Sequence, residues 1–90
     1  MTPRRVDANQ AEIVAALRAM GAHCQDLHDV GRGVPDLLVA YAGRLTLIEV
    51  KAPGARLNSR EALWHRLWPI PVAVVHSVDE AIAAITRQVE

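Results

Sequence analysis

Two periods govern where apolar residues fall along this chain. Ile13, Leu17 and Met20 lie at i, i+4 and i+7, which is one stripe of a helix. Asp7 is placed to N-cap that helix, with Gln10 as the N3 partner of a capping box, and Gly21 is placed to end it. Ala22 to His28 reads as a weak first strand. Gly31-Arg32-Gly33-Val34-Pro35 reads as a loop. Asp36–Tyr41 and Arg44–Val50 then form short runs rich in Leu, Val and Ile, and Ala42-Gly43 between them predicts a tight hairpin.

Ala52-Pro53-Gly54 breaks the pattern. Asn58 or Ser59 is placed to cap a second helix that runs to about Trp68, where Pro69 and Pro71 stop it. Val72–Val75 is apolar throughout and predicts a strand buried on both faces. Ser77-Val78-Asp79-Glu80 has the spacing of a capping box and opens a last helix through Ile82 and Ile85. The order α-β-β-β-α-β-α predicts an α/β fold, a mixed sheet of about four strands with helices on its faces. Without repeats or an interdomain linker, residues 1–90 read as one domain.

Composition narrows the possibilities. At 51% hydrophobic the chain is expected to fold, and its 90 residues bury a modest core that dimerisation would supplement. No apolar run is long enough to cross a bilayer and no signal peptide is visible, so a cytoplasmic protein is the expectation. Cys24 is the only cysteine, which leaves no internal disulfide and no cysteine-rich zinc site. A net charge of +0 does not suit a general nucleic-acid coat, so any phosphate binding must be local. Lys51 is the only lysine, every other basic residue being Arg, and its ammonium is a point charge that a guanidinium does not reproduce.

The chemistry concentrates at the hairpin. Asp36 starts one strand and Glu49 lies near the end of its partner, so an antiparallel pairing brings the two carboxylates together. Paired carboxylates with water suit a hard cation such as Mg²⁺ or Mn²⁺, which can assist phosphodiester hydrolysis. Glu49 and Lys51 are two apart and share a face, while the Val50 side chain points to the core and leaves its carbonyl as a further ligand. Lys51 is expected to position water and stabilise charge. A Glu inside an apolar strand is costly unless paired or metal-bound, and a Glu49–Lys51 salt bridge is the structural alternative. There is no Gly-rich phosphate loop, Cys–His pair or zinc-type cluster to suggest another enzyme class.

The pattern Gly33-Val34-Pro35-Asp36 … Glu49-Val50-Lys51 resembles the PD-(D/E)XK nuclease superfamily. Its wider context resembles the VRR-NUC branch: Gly31–Val39, Leu47–Gly54, Leu57, Trp64-His65, Val72–Val75 and Ser77–Ala81. The resemblance implies a restriction-endonuclease-like core and a metal-dependent, structure-selective DNA endonuclease. Small stand-alone members resemble phage or prophage products, are similar to dimeric nucleases, and are associated with four-way (Holliday) junctions. It also implies that Glu12, on the first helix, joins the metal site directly or through water. The family commonly carries Gln where this chain has Glu61, a departure that adds charge near the metal unless Glu61 has left the site.

Several residues keep two readings. Glu61 also suits an N3 capping partner of Asn58. Arg32, Arg56, Arg60 and Arg66 are candidates for phosphate contacts or simply solvated cations. Trp64 and Trp68, at i and i+4, suit core packing or a dimer interface better than base stacking. His23, His28, His65 and His76 show no metal-ligand spacing and are given no catalytic role. Arg4 and Arg5 suit an arm or a loose terminus. The rival functions are a non-catalytic DNA-binding module on the same fold, or a regulatory domain acting through a partner.

Overall fold

The computed structural model describes residues 5–87. The elements, in chain order, are α1 (Arg5–Ala19), β1 (His23–Asp26), β2 (Leu37–Tyr41), β3 (Arg44–Val50), α2 (Ser59–Leu67), β4 (Val72–Val75) and α3 (Val78–Thr86), with a short 3₁₀ turn at His28–Val30. The strands form one sheet in the order β1-β2-β3-β4. β1, β2 and β3 run antiparallel, and β4 joins β3 in parallel after the α2 crossover. This mixed sheet with three helices is a restriction-endonuclease-like α/β core.

The hairpin between β2 and β3 is a two-residue turn, Tyr41 pairing with Arg44. Both turn residues take positive φ, 51° at Ala42 and 77° at Gly43, which matches the twist of the flanking strands. α1 ends as expected: Ala22 N–H returns to the Leu17 carbonyl, and Gly21 adopts φ 96°. α1 already runs at Arg5, so Asp7 lies within the helix and the expected Asp7–Gln10 box is not the start of α1. Arg4 lies outside the described residues.

The core lies on one side of the sheet. Ile13 and Leu17 of α1 and Ala81 and Ile85 of α3 pack on Leu37, Val39, Ile48, Val50 and Val75. Strand alternation sends Leu38, Leu45, Leu47, Glu49, Val72 and Val74 to the opposite face. Only α2 reaches that face, at the Glu49 end, and α2 has no buried residue of its own. β4 corrects the expectation of a strand buried on both faces. It is an edge strand of the sheet, and its outer-face residues Val72 and Val74 are only half-buried because no described element covers them.

Asn58 and Glu61 form the full reciprocal box, Asn58 Oδ1 accepting from Glu61 N–H and Glu61 Oε1 from Asn58 N–H, both at 2.9 Å. At α3 the box is half made. Ser77 Oγ accepts from Glu80 N–H at 3.1 Å, but Glu80 Oε1 accepts from His76 N–H instead of the cap residue's own. The His76 ring contributes a second bond at 2.9 Å to the same oxygen, which draws Glu80 away.

Candidate active site

The site forms where β2 begins and β3 ends. Asp36 immediately precedes β2, and its Oδ2 accepts a hydrogen bond from Val50 N–H at 2.8 Å, which fixes the carboxylate against the last residue of β3. A strand residue directs its N–H and C=O to the same side, so the Val50 carbonyl opens toward the same edge. The register pairs Leu37 with Ile48, so Asp36 lies beside Glu49, and the Asp36 carboxyl acts on that of Glu49. The two acids named from the sequence therefore converge.

Glu49 is 2% exposed, and its Oε1 has no hydrogen-bond partner among the described residues. Burial pushes its pKa up to about 9, with a shared hydrogen bond and the charge of Asp36 adding to the rise and the charge of Glu61 adding more. Lys51 opposes the rise without cancelling it. A carboxylate buried this way is held near a second acid at a cost unless a positive charge joins them.

Lys51 does not meet Glu49 in an ion pair. Its Nζ lies 2.6 Å from Glu61 Oε1, and both side chains are largely buried. Glu61 has therefore stayed at the site while also serving the capping box. Burial raises its pKa, but the hydrogen bonds from Lys51 and from Asn58 N–H outweigh that and leave it below the usual glutamate value. One turn further along α2, His65 Nε2 lies 3.8 Å from Glu49 Oε1, too far for a hydrogen bond, and is likewise buried without a partner. Burial holds His65 below the ordinary histidine pKa, so at neutral pH it is an uncharged neighbour.

Glu12 sits exposed on α1, and no hydrogen bond or ion pair joins it to Asp36, Glu49 or Lys51 among the described residues. The contact from α1 comes instead through Asn9, three residues earlier and on the same side of the helix. Asn9 Nδ2 donates to the Lys51 carbonyl at 3.3 Å and to the His76 carbonyl at 3.2 Å, tying the chain beyond β3 to the chain beyond β4. Asn9 does not stand out by sequence, and His65 stands out only as part of Trp64-His65, with no role assigned to it. The available signal for His65 was its i+4 spacing from Glu61; for Asn9 there was none, since its partners are backbone carbonyls far along the chain.

Arg32 and Arg60 are exposed and line one groove with Leu63, Trp64, Leu67 and Trp68. Arg56 and Arg66 are also exposed but do not line it. The groove is rigidly joined to the site. Gly33 has φ 84°, and a Cβ there would stand 2.4 Å from the Arg60 carbonyl oxygen, so the loop before Asp36 lies directly against the start of α2.

The donors fit a divalent cation. Two converging carboxylates, one with a buried orphan oxygen, stand beside a carbonyl at a strand end. Among the described residues no three His, Cys, Asp or Glu side chains close on one point. An ion here would take few protein ligands and complete its shell with water, as Mg²⁺ does.

The model of the VRR-NUC domain matches residues 2–79. No curated protein and no solved structure matches the chain.

Proposed function

The chain belongs to the VRR-NUC family, a PD-(D/E)XK-like nuclease branch with nuclease-type action on DNA, and we propose that it is a Mg²⁺- or Mn²⁺-dependent, structure-selective DNA endonuclease. The observation that carries this reading is Glu49: a nearly fully buried carboxylate beside Asp36 with an oxygen left unpartnered. In this reading Asp36, Glu49 and the Val50 carbonyl hold the ion, and Glu12 approaches through water. When bound, the ion supplies a more acidic water and neutralises charge developing on the phosphate. Val50 N–H orients Asp36, and burial under α2 keeps bulk water from Glu49. Lys51 leaves Glu61 to place its ammonium on the scissile phosphate, and Glu61 holds that amine in register beforehand. Arg32, Arg56, Arg60 and Arg66 hold the flanking phosphates.

A homodimer is part of the proposal, and branched DNA such as a four-way junction is its substrate. What supports the dimer is the uncovered sheet face. A groove of about 810 Å³ runs along it, lined by Leu45, Leu47, Ile70, Val72 and Val74, and Leu45 is 72% exposed. A second copy would cover this apolar surface and present two sites about a two-fold axis. Among the described residues no helix is long and apolar enough to cross a membrane.

The test is a panel of labelled duplex, flap, single-stranded and four-way DNAs incubated with Mg²⁺, Mn²⁺ or EDTA. Metal-dependent cutting of branched forms, lost in Lys51→Ala and Asp36→Ala with folding intact, is the expected result. No cutting of any form with either ion would overturn it. A second reading, a non-catalytic DNA-binding module, is favoured by one feature: Lys51 is engaged by an acid where the family carries Gln. It predicts Mn²⁺ binding by calorimetry with no cleavage.

A further inference from the structure

α2 carries an aromatic surface that the fold does not use. Trp64 and Trp68 stack with ring centroids 4.8 Å apart and planes 14° from parallel. Core packing does not account for them, because α2 contributes nothing to the buried core and Trp68 is 51% exposed at the helix end. Leu63 and Leu67 beside them are exposed as well. Together with Arg32 and Arg60 these side chains line a groove of about 380 Å³ whose lining includes no acid.

We propose that this groove is a subsite for an unpaired nucleobase and its phosphate, with the exposed ring of Trp68 as the stacking platform and Arg32 and Arg60 on the phosphate. The inference rests on the DNA-cleaving reading above and adds how an unpaired strand would be recognised. Three observations argue for nucleic acid as the occupant. The first is charge: two arginines and no acidic residue line the groove, which suits an anion. The second is chemistry: a ring face offered to solvent stacks with any base, and such stacking tolerates every sequence. The third is place. Arg60 adjoins Glu61, whose carboxylate meets Lys51 at 2.6 Å, and the Gly33 approach to the Arg60 backbone fixes the loop carrying Arg32 against α2. At about 1.5 Å per residue, Trp68 lies about 10 Å along the helix from Glu61, a distance of two or three nucleotides. A duplex cannot offer a base face there, but a fork, flap or opened junction can.

Trp64 and Trp68 are the only tryptophans in the chain, so tryptophan emission, excited selectively over Tyr41, reads this groove alone. The probes are a forked duplex with unpaired thymidines and a blunt duplex of the same length, titrated in Ca²⁺ to permit binding without turnover. The fork is expected to quench the emission and to bind about tenfold tighter than the blunt form. Trp68→Ala should remove that preference by weakening the fork alone, and Trp68→Phe should restore most of it. Arg60→Ala should weaken both probes and reduce the salt slope by about one. If both probes bind while emission stays unchanged, or if Trp68→Ala weakens both equally, the subsite is refuted and the nuclease reading stands. If neither probe binds, both are refuted. If emission shifts with protein concentration in the absence of DNA, the face is a protein contact and the proposal is overturned.

Discussion

Replacing Glu49 with Gln is expected to stabilise the metal-free protein and to abolish its cleavage. The unfolded chain releases the Glu49 proton near the ordinary glutamate value of 4.5, whereas the folded chain keeps it until about 9. Between those values the folded state binds more protons, so stability falls as pH rises. The slope is at most about 1.4 kcal/mol per pH unit, or about 2–3 kcal/mol from pH 6 to pH 8. Gln reproduces the shape and hydrogen-bonding capacity of the protonated acid and does not titrate. The Gln variant should therefore show little of this slope and exceed the native chain by roughly 5 kcal/mol at pH 8, the slope acting from 4.5 up to that pH. Urea denaturation in EDTA at pH 6, 7 and 8 measures this directly. Saturating Mn²⁺ at a hundred times its Kd should return about 2.7 kcal/mol to the native protein and nothing to the variant. A native chain equally stable at pH 6 and 8, or a variant less stable at pH 8, would refute the reasoning.

Other substitutions test the supports of the site. Gly33→Ala should cost about 2–4 kcal/mol by denaturation, from left-handed strain and from the contact with the Arg60 backbone; a loss under about 0.5 kcal/mol would show that the loop is not held there. Asn9→Ala should cost about 1 kcal/mol and speed hydrogen exchange at the ends of β3 and β4, since two carbonyls lose their donor. Glu61→Gln keeps the capping geometry but removes a negative charge, so Mn²⁺ affinity by calorimetry should fall by about fivefold with helix content unchanged. Leu45→Arg should yield a monomer by light scattering, because it places a charge in the uncovered sheet face.

What the sequence revealed and what it hid follow from the range of the interactions. The hairpin was readable because Ala42-Gly43 and the flanking apolar runs are local, and β3 and β4 have the bounds expected. The Asn58–Glu61 box was readable for the same reason. The convergence of Asp36 and Glu49 followed from hairpin pairing alone. Long-range choices were not visible. An apolar run such as Val72–Val75 reads as fully buried, and only the strand order reveals that it forms an edge. Glu49 was the one salt-bridge partner the sequence suggested for Lys51, and the packing of α2 set Glu61 there instead. His65 and Asn9 act across 16 and 67 positions of sequence, to Glu49 and to His76, where periodicity carries no information. Asp7 has the side chain of a cap, but the helix simply continues through it.

Asp36 and Glu49 are proposed to hold one divalent ion between them. Calorimetric titration of EDTA-stripped protein with Mn²⁺ measures it without any substrate. Saturable binding to the native chain is expected, and its loss in both Asp36→Asn and Glu49→Gln with circular dichroism unchanged. Equal binding by the native chain and these two variants, or none by the native chain, would contradict it.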